Sequence, residues 1–452
     1  MPKGITIIKG GKVALHERDD FEELDIAFEG GRIVELGTGL KGDAIIDLRG
    51  FLILPGGIDP HVHFDDPGFT DREDFYSGTS AAASGGITTV IDMPCTSIPP
   101  VTNIENYRAK LKAIRQKAII DYGIFGGVCS QMFDGGFAGQ MESLTDVVLG
   151  FKTYFLSGMD SFGRLDHFQF ERVLEVAKKL DLPVLLHAED PDYVISATDY
   201  WRKRGSTPTN YYKSRPEIAE NIAVCAATAV ASCVDADLHI VHLSSGDSAA
   251  FIDDGRISAE TAPHYLAFDL ADFERIGSPL KVNPPIKSAV NRKALWESIA
   301  NGRISFVASD HAPCGLAEKN TGSIWTDYSG IPGTGTLLPF MFSEGFSKGR
   351  ISLSRLTSAT SLNAAKRYKI DHRKGSIRIG KDADFTIIDP SAKWVIEGNK
   401  FLSKGKITPF EGMRFEGRVV KTMVRGELVY DYETGVTIRP GYGQPVTRFK
   451  SI

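Results

Sequence analysis

The stretch GGIDPHVHF, residues 56–64, places two histidines at the end of a short apolar run. Successive side chains of a strand point to opposite faces, so His61 and His63 lie on the same face. Four later runs also carry a residue able to bind a metal at or near the end of a predicted strand, namely VVLGFKTY (147–154), PVLLHAED (183–190), LHIVHLSS (238–245) and ISFVASDHAPC (304–314). The pattern predicts a metal site formed by the strand ends, with ligands His61, His63, Lys152, His187, His242 and Asp310.

Eight apolar runs alternate with helix-like segments through the middle of the chain. They are GGID (56–59), ITTVIDMP (87–94), AIIDYGIFGG (118–127), VVLGFKTY (147–154), PVLLHAE (183–189), LHIVHLS (238–244), RISAETAP (256–263) and ISFVASD (304–310). Alternating strands and helices indicate parallel pairing with right-handed crossovers. Eight such units predict an α/β fold with a closed (β/α)8 TIM-type barrel. All six candidate ligands fall at or just beyond the C-terminal strand ends, where barrel enzymes carry their active sites.

The two ends of the chain have a different pattern. Residues 1–54 contain short alternating runs joined at Gly-Gly, a turn signal between strands, and residues 375–430 contain the same kind of pattern. Neither end has enough strands for a sandwich alone. We therefore expect a second, smaller β-sandwich domain built from both chain ends. The predicted boundaries are 1–54 for its first half, 55–364 for the barrel, and 365–452 for its second half and tail.

Composition limits the classes of partner. The 452 residues are 42% hydrophobic and 24% charged, which is ordinary for a globular domain. A net charge of −5 and the lack of a Lys/Arg run predict no nucleic-acid partner. The N-terminus has no signal-peptide pattern and we expect no apolar run long enough to span a bilayer, so we predict no membrane partner. Five scattered cysteines suit a reducing compartment, and the cytoplasm is the predicted location.

The metal interpretation depends on the whole set of residues, because a lone histidine at a strand end is most often an ordinary polar side chain. Imidazole and carboxylate suit Zn, Mn, Fe or Co, and catalytic sites leave one coordination position open for water. Of the histidines interpreted as ordinary, His264 is the strongest candidate for a supporting role. That group comprises His16, His167, His239, His264, His311 and His372.

Lys152 has three interpretations. It is a surface lysine with an extended stem, a Schiff-base lysine as in barrel aldolases, or a lysine carboxylated by carbon dioxide. Two divalent ions held roughly 3.5–4 Å apart repel each other, so a bridging anion is needed between them. The histidines around Lys152 favour the carbamate over the Schiff base, which would leave those histidines unexplained.

A set of ordered motifs resembles the cyclic amidohydrolases, the group of dihydroorotases, allantoinases and hydantoinases/dihydropyrimidinases. The motifs are PGGIDPHVHFDDPG (55–68), GGITTVIDMP (85–94), GFKTYFL (150–156), HAED (187–190), HLSS (242–245), APHYL (262–266), NPPI (283–286), SDHAPC (309–314), GKDADFTIID (380–389) and PFEGMRFEGRVVKTMVRG (409–426). The resemblance implies two divalent metal ions, with zinc the first choice, and a homo-oligomer, dimer or tetramer. His61, His63 and Asp310 would bind one ion, His187 and His242 the other, and carboxylated Lys152 would bridge them.

The resemblance also implies a mechanism. A hydroxide shared by the two ions attacks the carbonyl carbon of a cyclic amide. Asp310 accepts the hydroxide proton and passes it to the leaving ring nitrogen, acting as general base and then as general acid. Tyr154, two residues after Lys152, is expected either to support the oxyanion or to pack as an ordinary aromatic.

The substrate positions depart from the dihydroorotase pattern. The arginine, asparagine and histidine that hold a substrate carboxylate there are Asp65, Cys95 and Cys314 here. Asn283 in KVNPP is dihydroorotase-like, and Gly333 resembles a loop whose backbone contacts the ring. We therefore predict a neutral ureide ring such as allantoin or a hydantoin. Dihydroorotate is the alternative substrate, and a non-catalytic dihydropyrimidinase-like scaffold is less favoured because all six ligands are present.

Overall fold

The computed structural model describes residues 4–252 and 255–448, and within them the chain is α/β. The strands are β1 (Thr6–Lys9), β2 (Lys12–Val13), β3 (Glu22–Glu23), β4 (Asp25–Glu29), β5 (Arg32–Gly37), β6 (Ala44–Asp47), β7 (Leu52–Pro55), β8 (Gly57–Val62), β9 (Ile87–Asp92), β10 (Asp121–Ile124), β11 (Gly126–Gly127), β12 (Phe151–Tyr154), β13 (Val184–His187), β14 (Leu238–Ile240), β15 (Ile257–Thr261), β16 (Phe306–Val307), β17 (Phe385–Val395), β18 (Arg414–Val424), β19 (Glu427–Asp431) and β20 (Gly435–Val436).

The α-helices are α1 (Phe75–Ser84), α2 (Ile104–Ile114), α3 (Phe137–Leu144), α4 (His167–Lys179), α5 (Pro191–Arg202), α6 (Pro208–Ser214), α7 (Glu217–Val234), α8 (Pro263–Ala267), α9 (Leu270–Ile276), α10 (Ala289–Ala300), α11 (Leu316–Lys319), α12 (Thr334–Phe340), α13 (Leu353–Thr357) and α14 (Asn363–Arg367). Short 3₁₀ segments are Ser130–Gly135, Asp247–Phe251, Ser278–Leu280 and Gly398–Lys400, and π-helical turns are Met341–Ser347 and Ser358–Leu362.

The parallel strands occupy the middle of the chain. One sheet has the order β10-β9-β8 and another the order β11-β12-β13-β14-β15-β16, and every neighbouring pair in both is parallel. Each of the eight predicted apolar runs overlaps one of these nine strands, except the third run, residues 118–127, which contains both β10 and β11. Only Phe125 separates β10 from β11, and an isolated parallel bridge joins Val62 to His311.

The helices pack on the strands through apolar stripes. Helix α4 buries Phe170, Val173, Leu174 and Ala177, which follow the i, i+3, i+4, i+7 spacing of a helix face. Asp166 caps its first turn, accepting a hydrogen bond from the backbone amide of Gln169 at 2.8 Å. Strands β8 and β9 are buried along their whole length, as expected for parallel strands covered on both faces.

The chain ends form mainly antiparallel sheets. One has the order β5-β4-β1-β6 and the other β20-β19-β18-β17-β7-β2-β3, so strands from both ends of the chain pair in the second sheet. A separate apolar core contains Ile8, Ile26 and Ile53 from the first end and Phe385 and Ile387 from the other. The shared sheet and core agree with the expectation of one β unit from both ends, whereas the exact domain boundaries stay a prediction.

The stretch Pro208–Val234 is long and apolar enough to cross a membrane by length and composition alone. Our prediction of no such run therefore missed it. Pro216 separates its two helices, and Glu220 within it is buried, accepting hydrogen bonds from the backbone of Ser244 and Ser245. A buried, hydrogen-bonded carboxylate with a neighbouring apolar face is a feature of a core helix.

Candidate metal centre

The predicted ligands converge at the carboxyl ends of the parallel strands. His61 lies in β8 and His187 ends β13. The other three, His63, His242 and Asp310, lie one to three residues beyond the ends of β8, β14 and β16. All five line one cavity of about 300 Å³. Parallel strands bring their C-terminal ends to one edge of the sheet, which explains how residues about 250 positions apart meet.

His61, His63 and Asp310 form the first cluster. Asp310 Oδ1 lies 3.2 Å from His61 Nε2 and 3.4 Å from His63 Nε2. One ligand atom from each residue lies within 4.8 Å of the others, which is compact enough for a single ion. Although burial opposes ionisation, the neighbouring His61 and His63 hold the pKa of Asp310 well below its usual range, so it is an anion facing two imidazoles.

His187 and His242 form the second cluster. His187 Nδ1 lies 3.0 Å from His242 Nε2, and the two rings are 4.7 Å apart. The ring of His61 is 5.4 Å from that of His242, so the two clusters adjoin. Burial lowers the pKa of both His187 and His242, which favours neutral imidazoles, the form that binds metals.

Lys152 is fully buried in β12. After burial itself, its charge is among the causes that lower the pKa of His61 in the first cluster and of His187 and His242 in the second, so it lies near both clusters. Its Nζ has no hydrogen-bond partner among the described residues and lies 4.1 Å from the centre of the Tyr154 ring. Burial lowers the pKa of Lys152 to about 8. A buried amine without a partner is costly as an ammonium, and the surface-lysine interpretation is therefore not supported.

A buried carboxylate that the sequence analysis did not single out supports the first cluster. Glu260, in β15, accepts a hydrogen bond from His61 Nδ1 through one oxygen and lies 3.2 Å from His239 Nε2 through the other. This contact leaves His61 Nε2 free to face Asp310. The signal was available, since a glutamate inside the apolar run RISAETAP is unusual. His239, interpreted as ordinary, thus orients Glu260.

A second buried carboxylate supports the second cluster. Glu189 Oε2 lies 2.8 Å from His187 Nε2 and 2.8 Å from Arg215 Nη1. Burial opposes ionisation, yet the charge of Arg215 and the hydrogen bond from His187 lower the pKa of Glu189 to about 2. Each histidine pair therefore has its own anion behind it, and Arg215 brings a cation to the cavity wall. Nothing in the sequence around Arg215 indicated its partner.

Three ligand-region residues have a backbone conformation that L-residues rarely adopt. The φ angles of Asp65, His242 and Asp310 are 54°, 41° and 49°. Non-glycine residues with positive φ persist where the surrounding structure holds them, and they are concentrated at functional sites. Strand ends that turn sharply here direct His242 and Asp310 into the cavity.

Three of the predicted substrate-binding residues also line the cavity, namely Tyr154, Cys95 and Asn283. The Tyr154 hydroxyl lies 3.0 Å from Cys95 Sγ, and its ring stacks 5.3 Å from that of His187. The Asn283 side-chain oxygen accepts a hydrogen bond from the Tyr211 hydroxyl at 2.5 Å, which leaves its amide NH₂ as a donor.

The other three, Asp65, Cys314 and Gly333, do not line this cavity. Asp65 is fully buried with neither carboxylate oxygen hydrogen-bonded among the described residues, and burial raises its pKa to about 7. Cys314 is buried, and desolvation raises its pKa to about 11. The Gly333 amide donates to His311 Nδ1 at 3.1 Å, so it is not free to contact a ring substrate.

Comparison with known proteins identifies the family. The sequence model of the Amidohydrolase family matches residues 52–429. An allantoinase of Rubrobacter xylanophilus is 36% identical over 439 residues, covering 94% of each chain. An allantoinase of Salmonella newport is 33% identical over 448 residues, covering 96% of this chain and 97% of that one.

Solved structures agree with the sequence relatives. The L-hydantoinase (dihydropyrimidinase) of Arthrobacter aurescens superposes with a TM-score of 0.93 at 29% identity, covering 98% of this chain and 99% of that one. The dihydropyrimidinase of Brevibacillus agri has a TM-score of 0.90 at 29% identity, covering 99% and 100%. The predicted resemblance is confirmed: the chain belongs to the amidohydrolase family, and within it to the cyclic amidohydrolases.

Proposed function

We propose that this protein is a metal-dependent hydrolase that opens a neutral cyclic ureide ring, such as allantoin or a hydantoin. The observation that carries the proposal is the convergence of two histidine pairs and Asp310 on one cavity, with the buried, unpartnered Lys152 close enough for its charge to reach both pairs. Its allantoinase relatives and hydantoinase structural neighbours act on rings of this class by name. A non-catalytic scaffold has no use for such a set of converging ligands.

The residues fit two divalent ions. His61, His63 and Asp310 would hold one ion, and His187 and His242 the other. Carboxylation of Lys152 would replace a buried amine that has no partner with an anion near both clusters, and the missing partner also argues against an ammonium at this position. When bound, the ions supply Lewis acidity toward the ring carbonyl and make water a stronger nucleophile at neutral pH. We retain zinc as the first choice.

Asp310 is the proposed proton carrier. Its carboxylate is ionised and faces the cavity between His61 and His63, so it can accept the proton of the attacking water. It then returns that proton to the ring nitrogen, because an amide nitrogen leaves poorly unless protonated. One carboxylate thus serves both halves of the reaction.

Tyr154 is the proposed donor to the carbonyl oxygen. Burial, with the neighbouring Cys95, raises the pKa of its phenol well above the usual value, so the hydroxyl keeps its proton at neutral pH. The hydroxyl lies at the cavity wall beside Cys95, where it can donate to an oxygen that gains negative charge.

A neutral ring is favoured over dihydroorotate by the charges near the cavity. Arg72 pairs with Glu318 at 2.8 Å and does not line the cavity. Arg215 does line it, a cation that the sequence analysis did not foresee, but Glu189 neutralises its charge. A substrate carboxylate would therefore have to compete with Glu189 for Arg215, and burying a charge without a partner is costly.

The experiment is a panel of allantoin, hydantoin, dihydrouracil and dihydroorotate with metal-replete enzyme. We expect kcat/KM for one neutral ring to exceed that for dihydroorotate by two orders of magnitude or more. Preference for dihydroorotate would overturn the substrate assignment. Failure to hydrolyse any ring, with both metals bound, would overturn the proposed function.

We further infer that the two parallel sheets form one (β/α)8 barrel inserted in a β-sandwich domain. The support is that Phe125 N donates to Asp92 O at 3.0 Å and Gly126 N to Gly150 O at 3.0 Å, linking the sheets at one side. At the other side His63 N donates to His311 O at 2.8 Å, which joins the end of β8 to the segment that follows β16. Residues 1–54, 55–364 and 365–452 are the proposed divisions.

We also propose that the protein is a cytoplasmic homo-oligomer, a dimer or tetramer. Supporting this, α7 exposes Ile218 and Ile222, which are 48% and 40% accessible and lie one helical turn apart. Exposed apolar patches of this kind mark protein interfaces. Light scattering on the wild type and on Ile222→Glu tests it, since a monomeric wild type would contradict the proposal.

A further inference from the structure

A second cavity, of about 210 Å³, shares no lining residue with the cavity of the metal centre. Its walls come from helices α1 and α12, from strands β17, β18 and β19, and from the segment 397–403. The mechanism above uses none of its side chains. Four aromatic residues line it, namely Trp394, Phe401, Tyr430 and Tyr432.

The cavity contains a guanidinium that forms no ion pair among the described residues. Arg418 Cζ lies 5.4 Å from the ring centre of Trp394 and 4.4 Å from that of Tyr432. Among residues 4–252 and 255–448, no carboxylate lies within ion-pair distance of Arg418, and its buried Nε has no hydrogen-bond acceptor. Asp389, its β17 neighbour, directs its carboxylate to Ser391 instead. Buried donors normally find a partner, so this arginine is prepared for one.

The other charges of the walls are compensated. Glu397 pairs with Lys400 at 2.7 Å. The hydroxyl of Ser403 donates to Glu73, which also lies 3.1 Å from His311 Nε2. His311 Nδ1 in turn accepts from the amides of Gly333 and Thr334. Arg418 therefore supplies the unbalanced charge of the cavity, and that charge is positive.

We propose that this cavity binds a compact carboxylate that has a flat apolar body. A guanidinium presents a planar set of donors that matches two carboxylate oxygens. The guanidinium of Arg418 lies over the rings of Trp394 and Tyr432, and the aromatic residues of the wall suit a flat apolar group. A cavity of about 210 Å³ has room for one ring that bears a carboxylate. Tyr432 is 50% exposed, so the site opens at the surface.

The test is a titration of the metal-loaded enzyme with benzoate, read by calorimetry and by the fluorescence of Trp394, with Trp394→Phe identifying that signal. Benzamide, which has the same shape without the charge, is the matched ligand. We expect saturable binding of benzoate in the millimolar range or tighter, and at least tenfold weaker binding of benzamide. Arg418→Gln should weaken benzoate binding at least tenfold, with Arg418→Lys intermediate because it keeps the charge but loses the planar fork.

Three results would overturn the proposal: no saturable binding, equal affinity for benzoate and benzamide, or unchanged benzoate affinity in Arg418→Gln. The ligand comparison uses only the wild type and does not depend on how well a variant folds. A carboxylate that binds at the metal centre instead would keep its affinity in Arg418→Gln and leave Trp394 fluorescence unchanged. Ring hydrolysis is not the readout, so failure here is distinct from failure of the proposed function.

Discussion

The two carboxylates behind the histidines should control the two metal ions separately. Glu260 contacts His61 of the first cluster, and Glu189 contacts His187 of the second. We expect Glu260→Gln to weaken one ion and Glu189→Gln to weaken the other, with little effect on the remaining site. Both side chains are buried and glutamine has nearly the same shape, so each change removes charge with little change in volume.

The expected magnitude comes from the contacts. Each carboxylate has two partners. Glu260 contacts His61 through one oxygen and His239 through the other, whereas Glu189 contacts His187 and Arg215 through the same oxygen. In Glu260→Gln one of the two accepting oxygens becomes an NH₂ group that repels a ring N–H. In Glu189→Gln the amide oxygen can still accept both donors, but the negative charge behind His187 is lost. Loss of such a partner to a metal-binding histidine costs about 10–100-fold in metal affinity, or about 1.4–2.8 kcal/mol.

The assay is competition with a chromophoric chelator, in which two sites of different affinity release metal in two phases. We expect one phase to change in each variant, and a different one in the two variants. The matched control is Glu220→Gln, a buried carboxylate that contacts Ser244 and Ser245 but no histidine, and it should release metal like the wild type. If both variants alter both phases equally, or neither differs from Glu220→Gln, the assignment of one carboxylate to each ion is wrong.

Three other outcomes are expected. Lys152→Ala should lose metal and activity together, with partial recovery in a short carboxylic acid, whereas a borohydride-trapped substrate adduct at Lys152 would favour the Schiff base. Asp310→Asn should retain most metal and lose at least 10²–10⁴-fold in kcat, measured beside metal analysis, since the amide accepts no proton; near-normal turnover would remove Asp310 from the mechanism. Burial raises the pKa of Glu220 to about 7, so the folded protein binds its proton more tightly than the unfolded chain does, and this side chain lowers stability as the pH rises from about 4.5 to 7. Glu220→Gln should therefore gain in Tm relative to wild type between pH 4.5 and 8, and a constant difference would contradict that pKa.

The sequence alone was sufficient to predict the family, the eight strands and the converging ligands. The spacing of His61 and His63 follows from strand alternation, and the remaining ligands follow from the rule that parallel strands present their C-terminal ends together. Each of these patterns can be recognised within a few residues of sequence. In the structure, five of the six predicted ligands line one cavity, and Lys152 contacts Tyr154, which also lines it.

Only the tertiary structure revealed what orients those ligands and which residues face the substrate. Glu260 meets His61 across 199 residues, and Arg215 meets Glu189 across 26, so neither pairing has a local signature. Asp65 and Gly333 lie close in sequence to ligands or motifs, yet neither lines the cavity. The chain turns at Asp65, which has a positive φ, and the Gly333 amide donates to His311. Spacing along a strand fixes which way a side chain points, whereas its partners depend on which distant segments pack against it.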